Sequence, residues 1–586
     1  MMKLIALFVI MIGILPAFTW AETIQVLRDQ RDVPVVSENV LKCSQPENGK
    51  TKVRNEGVYY SPHAGFVGED SIRVSFTDGS AKMLTVDVRA FPNFVFILTD
   101  DQSWTGLSAR MDNRIPESAS DLHRTPNIDS IVAQGMRFSR GYSPAPNCSP
   151  SRYANLTGKT TARLKFTDIT GRNQTVPPEG KFRLSAIRTE TKEIEKRETT
   201  IPELLKSLPN ANYTTAHMGK WHLLGGGPAN HGFDVSDGET GNREGSVRKN
   251  IAEGDPKQAY GIAKRGNQFM DSAVNANQPF YCQLSHYAVH ASIQFREDTF
   301  EETKTWEAGK NHTSKEYAAM VADLDKSVGQ TLAHIDALGL RHSTYVVYQA
   351  DNGAPLFMSN AIPLRRHKPE IWEGGNRVPT IVRGPGIESG SQCDQAMMGI
   401  DLLPTIWDLA GGDASRLPSN IDGASISAWL KGNTEKSIQR PGTLVLHSPH
   451  YVVTPDLAKN QRPSSALHEG PWKLLAWYET GEVHLFNLEE DISESRDLSE
   501  EHPAEKLRLW KQLRDYLADV GAQLPTLDAA FPDNPGKAGD ADADGLPDAW
   551  EFEQLLTHSF GPNDDPDGDG RSNGSEFQNR TDPLAQ

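Results

Sequence analysis

Cys148-Ser149-Pro150-Ser151-Arg152 sets a thiol two residues before a proline and four before an arginine, and the stretch continues to Leu156-Thr157-Gly158-Lys159. A cysteine with Pro and Arg at this spacing is what a formylglycine-generating enzyme reads when it oxidises the thiol to an aldehyde. Two acidic clusters accompany it. Asp100-Asp101 follows an apolar run, and Asp351-Asn352-Gly353 follows another. Three carboxylates and an amide oxygen are hard ligands, suited to Ca²⁺ or Mg²⁺ rather than to zinc. One Asp at a strand end is ordinarily a turn or cap residue. Two such clusters in a chain with this cysteine point instead to a metal-assisted site.

The elements that must position these groups are legible. Residues 93–98 form a continuous apolar run, as expected of a parallel strand buried on both faces. A helix follows, with Thr125 as N-cap, Pro126 in its first turn, Ile128, Ile131 and Val132 on one face, and Gly135 at its end. Others are expected over 200–208 and 316–338, the latter with Tyr317, Val321, Leu324, Val328, Leu332 and Ile335 in one stripe. A strand is expected at 344–350. This alternation predicts an α/β fold, a mostly parallel sheet flanked by helices. Ligands of open α/β sheets bind at the carboxyl ends of strands, so both acidic clusters reach the same edge.

The chain of 586 residues is too long for one core. Residues 1–21 read as a signal peptide, with Lys3, an apolar run over 4–18 and the cleavage site Thr19-Trp20-Ala21. A secreted or periplasmic protein is therefore expected, with no transmembrane anchor. Residues 22–90 read as a β-sandwich, 91–428 as the catalytic domain, 429–522 as a smaller α+β subdomain, 523–539 as a Pro/Gly/Asp-rich linker and 540–586 as a calcium-loop tail. The four cysteines are Cys43, Cys148, Cys282 and Cys393; with Cys148 consumed, at most one intramolecular disulfide remains. The net charge of −17 is concentrated in the tail, with thirteen acids against three basic residues from Asp533 onward, which argues against nucleic-acid binding.

The Cys148 stretch resembles the signature C-x-P-S-R-x-x-x-L-T-G of the formylglycine-dependent sulfatases, and further phrases of that family follow in order. They are Gly219-Lys220-Trp221-His222, His231-Gly232-Phe233-Asp234, Tyr287-Ala288-Val289-His290, Pro363-Leu364-Arg365-Arg366-His367-Lys368, Trp372-Glu373-Gly374-Gly375-Asn376-Arg377-Val378-Pro379 and Asp401-Leu402-Leu403-Pro404. The resemblance implies an alkaline-phosphatase-like fold and a sulfate ester hydrolase whose Cys148 becomes 3-oxoalanine. It implies Asp100, Asp101, Asp351, Asn352 and the modified residue 148 as ligands of calcium, with magnesium as the alternative. The same likeness makes Lys220 and Lys368 holders of the sulfonate oxygens, His290 the acid for the leaving oxygen, and His222 the base that expels sulfate. Arg152 would hold the hydrated aldehyde. Val289 stands where the family usually has Pro, and Ala350 where Ser is common. Arg365-Arg366-His367 is more basic than is usual there, which suggests reading of extra acidic groups on a polyanionic glycan.

The partners implied are a sulfated carbohydrate and the formylglycine-generating enzyme. Two other readings stay open: a phosphodiester or phosphonate ester hydrolase, and a catalytically silent adhesion protein. Residues 60–70 resemble cadherin- or Ig-like modules. In the tail, Asp540, Asp542, Asp544, Asp548 and Glu551 have the EF-hand loop spacing, and Asp565, Asp567, Asp569, Asn573 and Glu576 repeat it, with Gly545 and Gly570 at the sharp turns. The tail resembles dockerin- or thrombospondin-type calcium loops, implying attachment or stabilisation, although only the first loop shows a following helix in the sequence.

Overall fold

The computed structural model describes residues 23–27, 32–37, 39–63, 66–170, 182–185, 187, 189–246, 254–436, 438–452, 462–526, 528, 544–555, 560–581 and 583. The expected signal segment, most of the linker, and Asp540 and Asp542 of the first tail loop lie outside them. No helix among the described residues is long and apolar enough to cross a membrane. The chain divides after Phe91 into two compact units.

In the first unit, strict alternation along Gly68–Phe76 turns Asp70, Ile72 and Val74 inward, as the period of two requires. Four strands pair in the order Thr23–Leu27, Ala81–Arg89, Gly68–Phe76, Val40–Cys43, and three in the order Val33–Val36, Gly57–Pro62, Gly49–Arg54. Both sheets contribute to one core containing Val26, Val58, Tyr60, Ile72, Val74, Leu84, Val86 and Val88. The inward Asp70 is held by the Tyr60 hydroxyl at 2.9 Å and by the amides of Glu47, Asn48 and Ser71.

The second unit is built on an eight-stranded sheet, in the order Val235–Ser236, Thr214–Gly219, Phe280–Ser285, Asn93–Thr99, Thr344–Ala350, Thr380–Arg383, Met136–Phe138, Ser391–Cys393. The sheet is mixed. Its first five strands are parallel, as the alternation of strands and helices implies, but Thr380–Arg383 runs antiparallel to both of its neighbours. The helices Pro126–Gln134 and Lys315–Ala337 bury the expected faces, and Ala259–Asn275, which was not foreseen, packs with them; Ile128, Ile131 and Val132 join Val321, Leu324 and Val328 in one core. Register fixes the working edge: Gly219 pairs with Ser285, Ser285 with Leu98, and Leu98 with Gln349. Lys220, Asp100 and Asp351 therefore leave the sheet side by side.

Beyond this sheet, four antiparallel strands between Leu444 and Asn487 pack against the helix Pro503–Asp519. The tail is not a detached piece. Leu555 and Phe560 are buried in the same cluster as Trp510, Leu513 and Leu517. A short helix follows the second acidic loop as well as the first, at Asn573–Asn579 and Asp548–Leu555, contrary to the sequence expectation of one. Its Gly-Ser-rich start hid the second helix from propensity. All four cysteines are free thiols.

Candidate active site

Cys148 opens the helix Cys148–Thr157, every residue of which is buried. Its place at a helix N-terminus puts the reactive atom in the positive end of the backbone dipole. Arg152 lies one turn later, so the four-residue spacing sets both side chains on one face. The Cys148 Sγ lies 3.4 Å from Asp100 Oδ1, 3.8 Å from Asp101 Oδ1 and 3.2 Å from Lys368 Nζ. Burial, then the charge of Asp100, push this thiol's pKa up, so unoxidised Cys148 would remain a protonated, poor nucleophile.

The acidic groups converge as topology demanded. Lys220 donates to Asp100 Oδ2 at 2.5 Å, and Lys368 pairs with Asp101. Burial would raise the Asp100 pKa, but the charges of Lys220, His290, Arg152 and Lys368 outweigh it and hold the carboxyl well below the ordinary range. Arg152 donates Nε to Asp351 Oδ2 at 2.9 Å and Nη1 to the Lys220 carbonyl at 2.7 Å, while its Nη2 lies 2.8 Å from Asp351 Oδ2 as an ion pair. Asp351 Oδ1 accepts the Asp101 amide at 3.1 Å. Asn352 donates Nδ2 to Asp101 Oδ1 at 2.7 Å, whereas its Oδ1 is buried with no hydrogen-bond partner. Such an oxygen is costly until an electropositive group meets it. Ligand atoms of Asp100, Asp101, Cys148 and His290 lie within 4.8 Å of one another. The oxygen donors of Asp100, Asp101 and Asn352 fit a hard divalent cation.

The histidines separate by environment. His290 faces the Ala291 carbonyl through Nδ1 at 2.6 Å, which places the proton of a neutral ring there and turns Nε2 toward Asp101 Oδ2 at 3.8 Å. His222 is buried; burial, then the charges of Lys220 and Arg152, hold its pKa well below the usual value, so the ring is a neutral acceptor. His217 and His286 are core residues whose burial lowers them to about 3. His222 and Asp101 take left-handed backbone (φ 61° and 59°), strain of the kind kept at working sites. Gly219 has φ 94°, and a Cβ there would lie 2.1 Å from the Ser285 carbonyl oxygen; only glycine lets Lys220 follow.

One group was read in the sequence only as part of a phrase, and another was not read at all. Glu373 accepts from the Tyr142 hydroxyl at 2.9 Å and from Lys473 at 3.1 Å, and Lys473 also meets Glu494 at 2.7 Å, all fully buried. This network ties the Trp372-Glu373-Gly374 phrase to the strand Trp472–Trp477. Lys257, in no motif, is buried near Asp100. Arg365 donates to the Glu494 carbonyl at 2.6 Å and stacks 3.9 Å from the Trp372 ring centroid, contacts that hold it to the frame. Exposed Arg366 faces Glu370 at 3.9 Å.

The family model "Sulfatase" matches residues 92–412, and a second, "N-sulphoglucosamine sulphohydrolase, C-terminal", matches residues 367–523. A sulfatase of Formosa agariphila is 26% identical over 74% of this chain and 89% of its own. The N-acetylgalactosamine-6-sulfatase of Mus musculus is 30% identical over 58% of this chain and 66% of its own length. The crystal structure of Ps i-CgsB in complex with k-i-k-neocarrahexaose shares the fold, with TM-score 0.58 and 23% identity over 73% of this chain and 93% of that one. With its family match spanning more than half of the residues, this chain belongs to the sulfatases and is a sulfuric ester hydrolase.

Proposed function

We propose that this protein removes sulfate monoesters from carbohydrates, using a formylglycine made from Cys148 and a calcium ion held by Asp100, Asp101, Asp351 and Asn352. The observation that carries this reading is the placement of Cys148 at the N-terminus of a buried helix, against two carboxylates and Lys368, with Arg152 one turn away. When present, the hydrated aldehyde supplies a nucleophilic oxygen and an internal way to release sulfate, and the cation supplies charge neutralisation. Lys220 and Lys368 present preorganised positive charge to the sulfonate oxygens, and charge held in place this way usually accelerates such reactions more than any other effect. In its doubly protonated form, with Nδ1–H held by the Ala291 carbonyl, His290 gives the second proton from Nε2 to the leaving oxygen and is left as the neutral ring. His222, kept neutral by its surroundings, accepts the proton that is lost when sulfate departs. Arg152 orients the residue at 148 through its bonds to Asp351.

The carbohydrate reading is supported by the sulfated-sugar chemistry named for the mouse relative, and by Leu356 and Phe357, which are 62% and 77% exposed on the segment joining Asn352 to Lys368. An exposed aromatic beside a catalytic edge suits the apolar face of a sugar ring. Paired assays on a sulfated monosaccharide and on phosphate mono- and diesters test the reading. Sulfate release with at most trace phosphate release supports it; preferential phosphate release refutes it.

The tail reads as a calcium site. Carboxylate oxygens of Asp565, Asp567 and Asp569 lie within 4.8 Å of one another. Glu576, 1% exposed, has a buried Oε2 without a hydrogen-bond partner, and the Asp567 and Asp569 charges, after burial, push its pKa up to about 7. A cation in this loop would relieve that repulsion. Asp544 and Glu551 belong to the first loop, where the ligand set is a proposal from spacing. Export through residues 1–21, and a sandwich role for the N-terminal unit, are part of the same proposal.

A further inference from the structure

Lys257 stands in the turn Pro256–Gln258 that leads into the helix Ala259–Asn275. It is 1% exposed, and its Nζ is enclosed with no hydrogen-bond partner. The charges that act on it are those of Asp100 and Asp101, which attract it, and Lys220, which repels it. Its backbone is tied to Gln294, four residues after His290, and its enclosed amine is within electrostatic reach of the carboxylate–lysine cluster.

The turn is built to keep it there. Lys257 and Gln258 both adopt left-handed backbone at φ 53°, a strained conformation for non-glycine residues. The Asp255 carboxylate accepts the amides of Tyr260 at 2.8 Å and Gly261 at 3.0 Å. Lys257 donates its own amide to Gln294 Oε1 at 3.2 Å, on the segment that follows His290, and Gln258 Nε2 donates to the Glu244 carbonyl at 2.8 Å.

An enclosed charged amine without an acceptor is unfavourable unless an anion joins it. Lys220 and Lys368 already pair with Asp100 and Asp101. Among the described lysines at this edge, Lys257 is the one with its donors unused. Burial lowers its pKa to about 8, opposed by Asp100, so the amine is largely protonated at neutral pH.

Resting on the sulfate-ester reading above, we propose that Lys257 is a substrate-binding residue whose ammonium takes an oxygen of the sulfate group to be cleaved. The test uses the full-length, formylglycine-bearing protein and K257M, K257R and K257Q variants. The substrate is an aryl sulfate, which carries a single anion; inorganic sulfate serves as competitor. K257M is expected to raise KM and the sulfate inhibition constant together, at least about tenfold, with a smaller effect on kcat, since the lost contact is made to bound and reacting sulfate alike. K257R is expected to recover much of both. Sulfate should also raise the melting temperature of the wild type more than that of K257M; K257Q replaces K257M if the latter does not fold. Unchanged KM and inhibition constant in a folded variant overturn the proposal while active wild type keeps the sulfatase reading. A loss confined to substrates with a second acidic group also overturns it. A wild type that carries formylglycine but releases no sulfate from any ester overturns both.

Discussion

At the scale of single residues, the site is an exercise in keeping opposite charges paired inside a dry edge. Asp100 stays anionic because Lys220 and Arg152 lie against it, and His222 stays neutral because burial, and then the same cations, disfavour a second proton. His290 is set apart by its bond to the Ala291 carbonyl, which commits Nδ1 and frees Nε2. If Nε2 protonates the leaving oxygen, the need for it scales with how poor the leaving group is. H290Q should therefore lower kcat on a sugar sulfate by about 10²–10⁴-fold, and markedly less on an aryl sulfate with an acidic phenol. Equal losses on both substrates would make His290 a positioning residue. The acidic pairs and the Cys148–Arg152 spacing were readable because strand ends and helix periodicity place them without help. Lys257 was not, because its place arises from enclosure by distant segments, and Glu373 was readable only as a member of its phrase, since its buried partners Tyr142 and Lys473 come from distant segments.

At the scale of elements, the sequence expectations met the structure to within a residue or two wherever periodicity was long. The helix expected over 316–338 is Lys315–Ala337, and the strand at 344–350 is Thr344–Ala350. The antiparallel Thr380–Arg383 was not foreseen, since a four-residue buried strand carries no sign of its direction. Asp325 shows how a helix can hold a polar group in its buried stripe. Its carboxylate accepts the amides of Ile128 at 2.9 Å and Asn127 at 3.3 Å, which fastens Pro126–Gln134 to Lys315–Ala337. Burial raises its pKa from 3.8 to about 6. The folded state thus holds a proton that the unfolded chain has released between these values. The stability contributed by this group is present below about pH 4 and is lost as pH rises through about 6. Relative to D325N, which does not titrate, the wild type should lose up to about 3 kcal/mol of unfolding free energy from pH 4 to pH 7. A difference that stays flat across that range would contradict the assignment.

At the scale of the whole molecule, the second unit runs from Pro92 through the tail as one packed body. The buried Glu373–Lys473–Glu494 network joins the sheet to the C-terminal strands, and Leu555 and Phe560 join the tail to the helix Pro503–Asp519. Lys511 adds a bond to the Asp567 carbonyl at 3.3 Å. A calcium ion in the second loop would then stabilise the catalytic body and not only the tail. At a hundredfold excess over Kd it should contribute about 2.7 kcal/mol, seen as a calcium-dependent rise in melting temperature. E576Q should lose that part of the rise and keep any part due to the catalytic site. An identical rise in both proteins would remove the tail ion from the account.

The nucleophile tests the whole reading most directly. Peptide mass spectrometry across residue 148, after co-expression with a formylglycine-generating enzyme, should find the cysteine converted to the aldehyde, in its free or hydrated form. An intact thiol, despite a maturation enzyme shown to be active on a control protein, would contradict the account, because the buried Cys148 thiol holds its proton too tightly to do the chemistry itself.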